Sequence, residues 1–134
     1  MPEASESRNM PALKDSGERR SFASGAVRDM AQGKGSYDLL AFSGVVLQAL
    51  QMERGKDKYG PRNWEKGMNL SAFLDSGIRH AVKFAMGFDD EPHLDAALWN
   101  FNCLAEGLKR IEHGIWPKEL DDLPRTYAGK EPWF

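Results

Sequence analysis

The chain has 134 residues, of which 41% are hydrophobic and 28% charged, a balance that suits one globular domain with a modest core. A formal net charge of −2 offers no general field for a phosphate backbone, so no nucleic-acid partner is expected. The single cysteine, Cys103, excludes an internal disulfide, and no run reaches the ~18 apolar residues of a membrane span.

The opening segment, MPEASESRNMPALKDSGERR, is polar and lacks the apolar centre of a secretory signal, so a cytoplasmic, reducing location is expected. Residues 1–24 read as a flexible or loosely docked arm, and 25–134 as one domain. The stretch GAVRDMAQGKGSYD (25–38) is punctuated by glycine and reads as a loop, although its basic and glycine residues suit approach to an anion. A first helix is predicted over 37–57, capped by Ser36 or Asp38 and stopped by Gly60 and Pro61. Its apolar side carries Leu40, Val46, Leu47, Leu50 and Met52.

The connector KYGPRNWEKG (58–67) is unusual in placing Trp64 among charged residues. A second helix follows over 70–86, capped by Asn69 or Ser71 and closed by Gly87, with Phe73, Leu74, Ile78, Ala81, Val82 and Ala85 at helical spacing. A third is predicted over 92–113. Pro92 sits at its first position, where a missing N–H costs nothing, and Gly114 ends it. Its core stripe reads Leu94, Ala97, Leu98, Phe101, Leu104, Leu108 and Ile111, and Cys103 in the same run reads as a buried thiol rather than a nucleophile. The tail IWPKELDDLPRTYAGKEPWF is rich in proline and aromatics, so it should run extended across the bundle or a neighbouring subunit. Nothing reads as a sheet. The fold class predicted is all-α, a bundle of three main helices with an irregular N-terminal arm and an extended C-terminal tail.

Carboxylates gather near three helix ends: Glu53 and Asp57 on the first, Asp75 beside Arg79 and His80 on the second, and Asp89, Asp90, Glu91, His93 and Asp95 at the third. Singly, Asp75–Arg79 reads as a surface ion pair and Asp89–Glu91 as a helix start favoured by the dipole. Jointly, they suit oxygen ligation of Mg²⁺ or Mn²⁺. Lys58, Arg62, Lys66 and Arg79 are then placed to meet phosphate oxygens. His80 and His93 are too far apart in sequence for a short-spaced zinc pair, and each reads either as a structural hydrogen-bonding group or as a substrate contact. No GxxxxGK(S/T) loop, GxSxG elbow or HExxH motif occurs.

The blocks GAVRD…GKGSYDLL, KYGPRNWEKG, LSAFLDSGIRHAVKF, GFDDEPHLDAALWN and GIWPKELDDLP, spread over about residues 22–125, resemble the phage-associated dATP/dGTP diphosphohydrolase N-terminal domain family. That family is distantly similar to the MazG-like all-α nucleotide pyrophosphohydrolases. The resemblance implies hydrolysis of a purine deoxynucleoside triphosphate to monophosphate and pyrophosphate, with Mg²⁺ or Mn²⁺, in a homo-oligomer (dimer or tetramer). It implies the host cytoplasm if the chain is phage-encoded. By matching position, Glu53, Glu65, Asp75, Asp90 and Glu91 are carried over as metal candidates, with Glu53 or Glu91 orienting or deprotonating the attacking water. Lys58, Arg62, Asn63, Arg79, His80 and His93 are carried over as substrate-side candidates. Trp64 would offer a base a flat surface, unless it plugs the connector into the core.

Two departures bear on the metal. Glu53 is followed by Lys56 where the wider MazG-like pattern has a second carboxylate, with Asp57 one residue beyond. The usual DEDHLAAA appears as DEPHLDAA, so Asp95 either restores a ligand or faces water. The competing reading is a nucleotide-binding or protein-interaction module with an incomplete metal cage. A purely structural phage accessory protein is a third.

Overall fold

The computed structural model describes residues 11–134, which divide between Leu40 and Ala41 into two compact units. Most of the expected arm's first half, residues 1–10, lies outside the described residues.

In the N-terminal unit, β1 (Arg19–Ser21) and β2 (Val27–Asp29) pair antiparallel, with Arg19 opposite Asp29 and Ser21 opposite Val27. This hairpin is the one sheet among the described residues, and three-residue strands are too short to show the alternation that marks a strand in sequence. The Phe22–Ala26 turn closes through Gly25, whose φ of 89° suits glycine. Asp29 fastens the hairpin end. It accepts from the backbone N–H and hydroxyl of Ser16, from the Met30 N–H and from Lys34. The Ser16 hydroxyl above all, with those N–H groups, holds the Asp29 carboxyl far below the usual range.

The C-terminal unit is a three-helix bundle: α1 (Ser43–Tyr59), α2 (Leu70–Met86) and α3 (His93–Glu112). The all-α class is as predicted. The second and third helices fall within a residue of their expected bounds, whereas the first starts later. Ser36 heads only a short 3₁₀ turn (Tyr37–Leu39), and Leu40 with ψ of 144° leads the chain out of helix before Ser43 re-enters it. Gly60, with φ of 83°, stops α1 where expected.

The core sits between α2, α3 and the tail. Leu70, Phe73, Cys103 and Trp116 form it, with Trp64, Met68, Trp99, Leu104, Ile111, Leu120 and Leu123 packed around them. On α3 the buried residues are His93, Asp95, Ala96, Ala97, Asn100, Cys103 and Gly107; of the predicted stripe Ala97 is among them and Leu104 and Ile111 pack against the core. Leu94, Phe101 and Leu108 are more than a third exposed. The reason is size. A face of small residues lets α2 approach closely: a Cβ on Gly77 of α2 would lie 2.8 Å from the Phe101 ring, and one on Gly107 would lie 2.8 Å from both Leu70 and Trp116. Leu94, Phe101 and Leu108 flank this contact, with Phe101 set against Gly77.

The tail lies across this bundle, with a 3₁₀ turn at Lys118–Leu120 inside it. Trp116 is 4% exposed, stacks parallel to Phe73 and donates its indole N–H to the Glu65 carbonyl at 2.9 Å. Asp122 then caps α2, accepting the Ser71 N–H at 2.9 Å and its hydroxyl. Neither local candidate fulfils that role; Asn69 occupies the cap position without a side-chain bond.

Candidate functional site

The connection from Gly87 to Pro92 folds α3 back on α2. Gly87 adopts the left-handed conformation (φ 88°), and its N–H and the next one return to the Phe84 and Lys83 carbonyls. Pro92 stands at the cap of α3, where its carbonyl accepts the Ala96 N–H. The fold-back lays His93, the first residue of α3, against His80, six residues before the last residue of α2. Their Nδ1 atoms are 2.9 Å apart. His93 is 2% exposed, and its Nε2 is 2.8 Å from the Asp90 carboxylate.

An ionised carboxylate only accepts, so His93 donates to Asp90 through Nε2–H, and its Nδ1 faces His80. Glu91 stands beside both rings: one ligand atom from each of His80, Glu91 and His93 falls within 4.8 Å of the other two. The His80 pKa is lowered by burial first and by the Arg79 charge next, against the pull of Glu91. The Asp90 carboxyl is lowered chiefly by its bond to His93. The site gathers two imidazole rings and the Asp90 and Glu91 carboxylates at one end of the α2–α3 pair.

The other predicted residues are distributed more widely. Lys58, at the end of α1, lies over the Tyr59 ring; its pKa is raised by Tyr59 first and also by the Glu91 charge. Glu53 is exposed on α1 and Asp75 on α2. Arg79 donates to the Ser76 hydroxyl at 3.2 Å rather than pairing with Asp75. In the connector, Arg62 takes a left-handed conformation (φ 62°) that non-glycine residues seldom adopt, and it reaches Glu65 at 3.0 Å. Asn63 is half-buried at the head of a short 3₁₀ turn. Trp64 packs edge-on to Trp116 at 6.3 Å, while the Arg110 guanidinium covers it at 4.7 Å. The charged connector holds a tryptophan because the ring joins the core and a cation lies over its face. Glu65 lies between Arg62 and Arg110, which is 3.9 Å away, and its carbonyl is taken by Trp116. The structure therefore gathers His80, His93, Asp90 and Glu91, leaves Glu53 and Asp75 outward, and sets Glu65 in the arginine–tryptophan cluster.

Sequence reasoning missed Arg54. From α1 it donates to Asp95 of α3 at 3.0 Å, and Asp95 is 8% exposed, so this carboxylate faces a helix rather than water. A charged residue on an otherwise apolar helix face was the available signal.

The model of the family described as "dATP/dGTP diphosphohydrolase, N-terminal" matches residues 24–114, about two thirds of the chain. The chain belongs to this family. The matched segment contains every site candidate named above, from Glu53 to Asp95. The family's description is of a dATP/dGTP diphosphohydrolase, which points to a hydrolase acting on a purine dNTP. No curated protein and no solved structure matches the chain. Among the described residues, no helix is long and apolar enough to cross a membrane.

Proposed function

We propose that this chain is a metal-dependent nucleotide pyrophosphohydrolase that converts a purine dNTP to its monophosphate and pyrophosphate. The observation that carries this reading is the family match over residues 24–114, with all the candidate residues inside it. The electrostatics of the α2–α3 end support it: Lys58, Arg79 and Lys83 lie in reach of the histidine and carboxylate groups there. Such cations suit phosphate oxygens, the guanidinium as a fork and the ammonium groups as point charges. Glu91, exposed beside them, is the carboxylate best placed to orient or deprotonate an attacking water, with Glu53 of α1 as the other candidate.

Mg²⁺ or Mn²⁺ is the cofactor of this proposal. Its five candidate ligands have the right chemistry, but in one chain they do not converge: Glu65 lies with Arg62 and Arg110, and Glu53 and Asp75 point outward. That dispersal favours a second reading, a non-catalytic nucleotide-binding or protein-interaction module.

The test is incubation of the full chain with each of the four dNTPs and Mg²⁺ or Mn²⁺, with pyrophosphate detection. Release from dATP or dGTP, falling by orders of magnitude in Glu91→Gln, supports the enzyme. Nucleotide binding with no pyrophosphate from any dNTP leaves the binding module.

A further inference from the structure

We propose that His80, His93 and Glu91 form a site for one divalent transition-metal ion of the kind imidazole favours, such as Zn²⁺ or Co²⁺, with Asp90 as the residue that positions His93. The site differs in chemistry from an oxygen-only Mg²⁺ cage and does not depend on hydrolysis.

Three observations carry the proposal. The first is spacing. Metal–imidazole bonds are about 2.1 Å, so two nitrogens on one ion stand roughly 3.0 Å apart at a right angle and about 3.4 Å apart at a tetrahedral angle. The observed 2.9 Å between the His80 and His93 Nδ1 atoms matches adjacent ligands of an octahedral ion. The second is orientation. Asp90 accepts a hydrogen bond from the Nε2–H of buried His93 at 2.8 Å, which aims Nδ1 toward His80 and reproduces the carboxylate–histidine–metal relay. The third is the third donor: Glu91 brings a carboxylate oxygen within 4.8 Å of one ring nitrogen of each histidine.

Rigidity adds to these. His80 lies within α2, and His93 begins α3 behind a proline, so both rings are fixed by helices rather than by a loop. Three protein donors leave further positions open to water or an anionic oxygen. Mg²⁺, which demands oxygen and dehydrates reluctantly, is a poor occupant of a two-nitrogen set. Without an ion, the same contact is a hydrogen bond from His80 Nδ1–H to His93.

The full chain, stripped with chelator and without nucleotide, is titrated with Co²⁺ under visible absorption and by equilibrium dialysis. The expected result is one Co²⁺ per chain, with ligand-field bands that Zn²⁺ abolishes and millimolar Mg²⁺ does not. His80→Gln and Glu91→Gln should lose at least tenfold in affinity with far-ultraviolet circular dichroism unchanged, and Asp90→Ala should lose about 10–100-fold. No Co²⁺ retained by the parent, equal affinity in His80→Gln, or displacement by Mg²⁺ at equal concentration would each overturn the site. Because the readout is binding alone, its outcome is separate from that of the pyrophosphate assay.

Discussion

Three helical glycines make a graded test of close packing. At Gly107, a methyl would meet Leu70, which is wholly buried, and Trp116, so neither neighbour can yield. Gly107→Ala should therefore cost about 1–3 kcal/mol in urea unfolding despite the better helix propensity of alanine. At Gly77 the obstacle is the Phe101 ring, which is 38% exposed and can swing outward, so Gly77→Ala should cost clearly less. Gly55, inside α1, has nothing within 4 Å of its would-be Cβ, so Gly55→Ala should stabilise by about 1 kcal/mol. The reverse ranking would show that the α2–α3 contact is looser than described. Cys103 offers a second residue-scale test. Burial pushes its thiol up to about 12, so the thiolate is scarce and shielded. Its labelling by a thiol reagent at pH 7 should follow unfolding, and rapid labelling of the folded chain would contradict its place in the core.

At the scale of elements, α2 depends on a cap from 51 residues away. Hydrogen bonds from the Ser71 hydroxyl first and the Ser71 N–H next hold the Asp122 carboxyl below the usual carboxylate range. A carboxyl lowered on folding contributes stability above its unfolded value, about pH 4, and loses it as pH falls through the folded value. Asp122→Ala should accordingly lower Tm at pH 7, and parent and variant should converge as the pH drops toward 2. A constant gap across that range would assign the loss to packing instead. The tail's other anchor is Trp116. Trp116→Ala should cost about 3–5 kcal/mol by emptying the core beside Phe73. Trp116→Phe should cost less, losing mainly the bond to the Glu65 carbonyl.

At the scale of the molecule, α1 has no buried residue, and Val45, Val46, Leu50 and Met52 are all exposed on it. Leu94, Phe101 and Leu108 recur at intervals of seven on α3 and are also exposed. Apolar surface spread over two helices is more than scattered single residues explain, and a second copy of the chain is the expected cover. Light scattering at tens of micromolar should report at least a dimer, with Tm rising with protein concentration by mass action. A particle of one chain's mass and a concentration-independent Tm would refute the homo-oligomer.

The sequence by itself determined the helical class, because apolar spacing and the glycine and proline stops are local signals. Gly60–Pro61 and Gly87 fixed where two helices end, and the bounds of α2 were legible to the residue. It also gave the family, since the ordered blocks from GAVRD to DEPHLDAALWN are a linear pattern. Only the tertiary structure decided which face of α3 is buried. Periodicity marks where apolar residues recur, but the close approach at Gly107 to Leu70 and Trp116 buries the small residues beside that stripe and leaves Leu94 and Leu108 at its edge. It likewise decided the pairing of His80 with His93, residues separated by a turn whose hand and length set what comes opposite. The late start of α1, the distant cap from Asp122 and the Arg54–Asp95 pair share that cause. Each is settled by what the folded chain brings near a residue, and a one-dimensional pattern carries neighbours in sequence but not neighbours in space.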